Sequence, residues 1–267
     1  MPAERYLTNL CELYDTYNKR EFVHPDPLEF LYDYDDIRDR EIVALVSSSL
    51  AYGGVKQILK SVSAALSRIP DPADTILSCS RNELIARYTD FKHRFTTGEE
   101  LALMLFGIQS VIKEYGSLQA CFVSGLSKTD ETILPALANF VSKLSEVFDG
   151  KPRSLLPSPV NGSACKRLNL FLRWMIRKDE VDPGGWDDIP TSKLVVPVDI
   201  HMRRISSSLG LTSRKAADLK TAVEITNAFR KISPDDPVRY DFCLTRLGIR
   251  DDLDPATFLK SCEMVAG

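Results

Sequence analysis

The sequence predicts an all-α protein, and three observations carry that reading. Apolar residues recur at the helical period through most of the chain. Good alternating strands are missing. The one β-branched run, Leu194-Val195-Val196-Pro197-Val198, is interrupted by Pro197. Taken in order, residues 41–52 carry a helical stripe with small serines on it, which suits close helix contact. Val55, Ile58, Leu59, Val62, Leu66 and Ile69 share one face of the next helix. Leu101, Met104, Leu105, Ile108, Val111, Ile112 and Tyr115 share one face of a longer one. Residues 131–148 and 219–232 repeat the period. Residues 164–178 are apolar on nearly every side from Leu168 to Ile176, which predicts a central buried helix. Breaks fall at 22–27, 70–74, 149–163, 179–193 and 233–237.

Composition narrows the function classes. A chain of 267 residues suffices for one large domain or two small ones. With 44% hydrophobic and 27% charged residues, it reads as an ordinary soluble globular protein. No apolar run is long enough to cross a bilayer, so no membrane association is expected. The opening stretch MPAERYLTNLCELYD has acidic residues and no apolar signal core, so the expected location is cytoplasmic. A net charge of −3 argues against a uniformly basic surface but leaves room for a local patch that meets phosphates. The six cysteines form no Cys-x-x-Cys pair, and His24 and His93 lack a ligand partner at useful spacing. No metal site and no cofactor are expected.

Two stretches raise the question of chemistry. In residues 195–211 (VVPVDIHMRRISSSLGL), Asp199 stands where a helix starts, and its simplest role is an N-cap. Lys166 opens the buried helix beside Arg167. A helix N-terminus repels a cation, so the ammonium form is disfavoured there and the amine becomes a candidate nucleophile. The alternative is a surface lysine reaching solvent. Just before it, Gly162 and its small neighbours predict a tight turn whose backbone N–H groups suit an anion. Residues 87–95 (RYTDFKHRF) interleave aromatics with cations, which fits a nucleic-acid groove or amphipathic packing at a rim. Trp186, on the Gly184-Gly185 loop, is open to stacking on a base or to packing down its own segment.

Together these stretches resemble the helix-hairpin-helix DNA glycosylase superfamily, which includes endonuclease III and the 8-oxoguanine glycosylases. Val160-Asn161-Gly162-Ser163-Ala164-Cys165-Lys166 stands in the frame of that family's hairpin and catalytic lysine, without the hairpin proline and with Ala164 at the second glycine. Val198-Asp199-Ile200-His201-Met202-Arg203-Arg204, followed by Leu209-Gly210-Leu211, is similar to the stretch that carries the family's aspartate. The segment KDEVDPGGWDDIPTSK between them resembles the longer connection of the archaeal 8-oxoguanine branch. The resemblance implies two helical subdomains with a cleft between them and a helix-hairpin-helix motif. Residues 40–178 would form one, and residues 1–39 with 179–267 the other. It further implies a monomeric DNA glycosylase with Schiff-base lyase activity on duplex DNA with a damaged base, such as the oxidised purine 8-oxoguanine. Lys166 and Asp199 would be catalytic. Asn161, Gly162, Ser163, Ala164, His201 and Arg203 would contact DNA, Arg204 being a further phosphate candidate. The competing reading is a non-catalytic helix-hairpin-helix module that binds nucleic acid or protein.

Overall fold

A computed structural model describes residues 6–150, 154–247 and 258. Its α-helices are α1 (Leu7–Tyr17), α2 (Ile37–Ser49), α3 (Val55–Leu66), α4 (Pro72–Ser78), α5 (Arg81–Arg87), α6 (Gly98–Tyr115), α7 (Leu118–Ser124), α8 (Leu134–Ser145), α9 (Lys166–Ile176), α10 (Ile200–Ser208), α11 (Leu219–Arg230) and α12 (Asp241–Arg246). The fold is all-α, as the periodicity predicts. Local chemistry sets many of the ends. Ser80 with Glu83, and Thr97 with Glu100, close capping boxes that start α5 and α6. Gly116, at φ +91°, ends α6 in the left-handed conformation that a glycine adopts without steric cost.

One short hairpin departs from the sequence expectation. β1 (Lys92–His93) pairs antiparallel with β2 (Thr96–Thr97), with His93 opposite Thr96. The run at 194–198, the best strand candidate by composition, is extended and buried but pairs with no strand. Its Val196 N–H instead donates to Thr226 Oγ1 on α11 at 3.0 Å.

Helix α9 lies at the centre. Leu168, Phe171, Leu172, Trp174 and Met175 are fully buried, and α9 packs along α2. Residues 177–199, although rich in Gly, Pro and Asp, contribute to the core through Val181, Asp182, Trp186, Ile189 and the buried run 194–198. Gly184 and Trp186 donate backbone N–H bonds to the Trp174 and Met175 carbonyls, which the end of α9 leaves open. Gly185 has φ +133°, and a Cβ there would stand 2.1 Å from Ile37 Cδ1, so only glycine allows this approach. Trp186 is therefore not a base-stacking residue. It is fully buried, 5.1 Å from the Phe171 ring, and its indole N–H donates to Glu41. The terminal parts of the chain meet where α1 packs on α12 and α12 on α10, while the 3-10 segment Pro27–Asp33 packs on α2 and α3. One continuous buried cluster runs through all of these elements.

Two buried polar clusters tie the core together. In the first, Arg173 Nε donates to Asp182 at 3.2 Å and Arg173 Nη1 to Asp241 at 2.5 Å. Arg177 bonds Asp182 as well, and reaches Asp179 and Asp236 at 2.9 Å each. Burial pushes the carboxyls of Asp182 and Asp241 up, against the pull of the arginines. In the second, Glu41 accepts from the N–H groups of Leu118 (2.9 Å) and Gln119 (3.2 Å) and from Trp186 (3.1 Å). Burial pushes Glu41 up to about 7, opposed by those donors.

Asp182→Ala is expected to cost about 3–5 kcal/mol in urea denaturation, because it leaves two buried guanidiniums short of a partner. Folded Glu41 holds a proton between the ordinary carboxylate range and about 7, where the unfolded chain has lost it. Its contribution is therefore complete at acid pH and lost as pH rises through about 7. Glu41→Gln should flatten that part of a stability-against-pH curve.

Candidate active site in the interhelical cleft

The approach to α9 is built by short-range bonds. A 3-10 turn, Pro159–Asn161, ends at Gly162, which has φ +76° and donates its N–H to the Pro159 carbonyl at 2.9 Å. The Gly162 carbonyl accepts from Leu219 N, and Ser163 bridges to Asp218, so the turn is stitched to the start of α11. A Cβ at Gly162 would meet nothing within 4 Å, so the outer face of the turn is open. Cys165 then adopts φ +47°, with its N–H on Ser163 Oγ at 3.1 Å and its thiol donating to the Pro157 carbonyl at 3.3 Å. Burial pushes that thiol up to about 11, which leaves it a structural rather than a nucleophilic cysteine. Lys166 is the first residue of α9. The element before the turn is one 3-10 turn, where the resemblance implies a longer first helix.

Asp199 is the N-cap of α10, and its two oxygens divide the work. Oδ1 accepts the Met202 N–H at 2.9 Å. Oδ2 lies 3.2 Å from Lys166 Nζ. Both side chains are about two-thirds covered, at 31% and 32% exposure, so the pair is shielded yet reachable from the cleft. Burial raises the Asp199 carboxyl, but Lys166, the Met202 N–H and His201 outweigh it and hold the group below its ordinary value. The carboxylate charge is thus retained until the pH falls below the usual carboxylate range. Helix-end repulsion, the feature the sequence points to at Lys166, is met here by direct attraction from Asp199.

The cleft has a volume of about 1020 Å³, at the upper end of pockets that enclose small ligands, roughly 300–1,000 Å³. Ser163, Ala164, Lys166, Asp199 and His201 line it. Asn161 and Gly162 are exposed outside it, and Arg204 lines it where Arg203 does not. Sequence reasoning missed the opposite wall and the floor. Tyr52 forms part of the wall, with the Arg167 guanidinium 4.8 Å from its ring centroid. Arg167 also donates to the Ser49 carbonyl at 2.5 Å. The floor is formed by Asp26, Arg173, Asp241, Thr245 and Arg246. An available signal for it was Arg173 itself, because an arginine inside a helix apolar all round needs buried carboxylates somewhere in the chain. Nothing local in the sequence marks Tyr52.

Among the described residues, no group of three or more His, Cys, Asp or Glu could hold a metal ion, and no helix is long and apolar enough to cross a membrane. A family model described as "Protein of unknown function (DUF2400)" matches residues 26–250. No curated protein and no solved structure matches the chain.

The double role of Asp199 has a measurable consequence. Asp199→Ala is expected to lose about 1 kcal/mol of stability with the cap, whereas Asp199→Asn keeps the capping oxygen and should cost less. Chemical denaturation of the two variants checks this.

Proposed function

The chain belongs to the DUF2400 family, whose model spans most of its length, and we propose, from the geometry of its cleft, that it is a DNA base-excision glycosylase with Schiff-base lyase activity. The observation that carries the reading is the Lys166–Asp199 pair, an amine and a carboxylate 3.2 Å apart in a cleft roomy enough for an everted nucleotide. A pure binding module has no need of that pair. The motif similarity to helix-hairpin-helix glycosylases supports the same assignment.

A damaged base inside a duplex is out of reach, so it is everted into the cleft. Asp199 accepts a proton from Lys166 and frees the amine lone pair. The amine attacks the sugar carbon that bears the base. The C–N bond to the base breaks, and the base leaves with the bonding electrons and takes up a proton. Positive charge develops on the sugar in this step, and the Asp199 carboxylate stands where it stabilises it. Opening of the sugar ring yields the Schiff base between Lys166 and the sugar. Loss of a proton from the adjacent carbon then expels the 3′ phosphate and cuts the strand. The open turn at Asn161 and Gly162 and the cleft-lining Ser163, Ala164, His201 and Arg204 supply contacts to flanking phosphates.

Borohydride trapping on a panel of duplexes, each with one lesion and 8-oxoguanine first, tests the reading. The parent is expected to give a covalent adduct with one of them and Lys166→Gln none, although the variant still binds. Asp199→Asn should slow the reaction by roughly 10²–10⁴-fold, the scale of a lost proton-transfer group. A parent that gives no adduct with any lesion, or an Asp199→Asn protein with full activity, would sink the assignment in favour of a binding module.

A further inference from the structure

The stretch RYTDFKHRF interleaves aromatics and cations, and the fold separates them. Tyr88, Phe91 and His93 go into the interior, whereas Phe95 is 72% exposed. Phe95 sits in the turn between β1 and β2, next to Arg94 at φ +50°. That left-handed conformation is unfavourable for a residue with a Cβ, and such strain collects where a chain presents a side chain for use.

The turn is held firmly against the cleft wall. The His93 Nε2–H donates to the Tyr52 carbonyl at 3.0 Å, which leaves Nδ1 to accept from Ser61 Oγ at 2.9 Å. The Tyr52 hydroxyl donates to the His93 carbonyl at 2.8 Å, accepts the Thr96 N–H at 3.2 Å, and lies 2.8 Å from Thr96 Oγ1. The same Tyr52 ring lines the cleft under Arg167, the residue after Lys166. Arg94 packs over Gly53, another cleft residue, with its Cδ 2.7 Å from where a Cβ at Gly53 would stand. The hairpin that carries Phe95 is thus anchored on Tyr52, which lines the same cleft as Lys166.

We propose that this hairpin is a second nucleic-acid contact, in which Phe95 stacks on an unpaired nucleobase beside the cleft while Lys92 and Arg94 meet the flanking phosphates. The proposal rests on reading the cleft as a DNA site. The surroundings favour a nucleic acid over a protein. A protein interface presents a contiguous apolar patch, whereas here one phenyl ring stands beside exposed Arg94, whose guanidinium lies 5.5 Å from the ring centroid, on a hairpin that also exposes Lys92. Of the nearby acids, Asp90 is paired with Arg68 at 2.9 Å and Glu100 is engaged in the α6 capping box, while Glu99 is exposed at the helix start. A base inside an intact stack has no free face, so the partner chemistry is a duplex interrupted by a missing or unpaired base.

Fluorescence anisotropy of the full chain with a labelled intact duplex, and with the same duplex carrying a one-nucleotide gap, tests this. The parent should prefer the gapped duplex. Phe95→Ala should lose about 5- to 100-fold on the gapped duplex alone, the range expected for one stacked base. Phe95→Tyr should retain the preference, and both variants should keep the parent's melting temperature because the ring is exposed. Equal affinity of Phe95→Ala and parent for the gapped duplex overturns the proposal, and a Lys166-dependent adduct in that variant would leave the glycosylase reading standing. A parent that binds neither duplex overturns both. Unchanged DNA affinity with altered self-association would assign the ring to a protein contact and equally overturn the proposal.

Discussion

The architecture depends on two guanidiniums buried at the C-terminal end of one helix. Arg173, in the last turn of α9, and Arg177, its C-cap residue, are at 2% and 4% exposure, where an unpaired charge would be strongly unfavourable. Their partners come from three other places: Asp179 and Asp182 in the segment after α9, Asp236 before α12, and Asp241 in the first turn of α12. Satisfying the charges therefore brings the long connection back against its own helix and draws the C-terminal elements onto it. The Gly184 and Trp186 N–H groups complete the closure on the last carbonyls of α9. Once the C-terminal half of α9 is held in this way, its N-terminal half, with Lys166, projects into the cleft whose floor is the Arg173–Asp241 pair.

The site itself follows from the geometry of helix ends. Lys166 opens α9 and Asp199 caps α10, so two helix N-termini converge on one cleft. Such ends carry positive potential, which favours a carboxylate and a bound anion over a cation. Asp199 answers both demands, with one oxygen on the Met202 N–H and the other on the lysine. The non-glycine residues in the left-handed region among those described are Arg94 and Cys165. One lies at the tip of the hairpin and the other directly before Lys166. Strain of this kind persists only where surrounding bonds over-determine the backbone, as the Tyr52 and Ser61 contacts of His93 and the Ser163 and Pro157 contacts of Cys165 do here.

Short-range physics made much of this legible from the sequence. Periodicity alone predicts the all-α class, and the apolar run from Leu168 to Ile176 predicts a central helix, because both depend on neighbours a turn apart. Asp199 reads as a cap for the same reason, and Gly162 as a turn residue. Tertiary structure decided the rest. Lys166 and Asp199 are separated by the whole connecting segment, and only its return onto α9 brings them to 3.2 Å. Trp186 sits in a polar, glycine-rich stretch, yet it is buried because Glu41 and the Phe171 ring await it from distant helices. Phe95 and Phe91 look alike in one motif, and it is the Tyr52 anchor beneath the hairpin that accompanies burial of one and exposure of the other. Local sequence encodes hydrogen bonds within a few residues, whereas for ion pairs and ring contacts across the chain it shows at most that a partner is needed, as at Arg173, and not which residue supplies it until the fold closes.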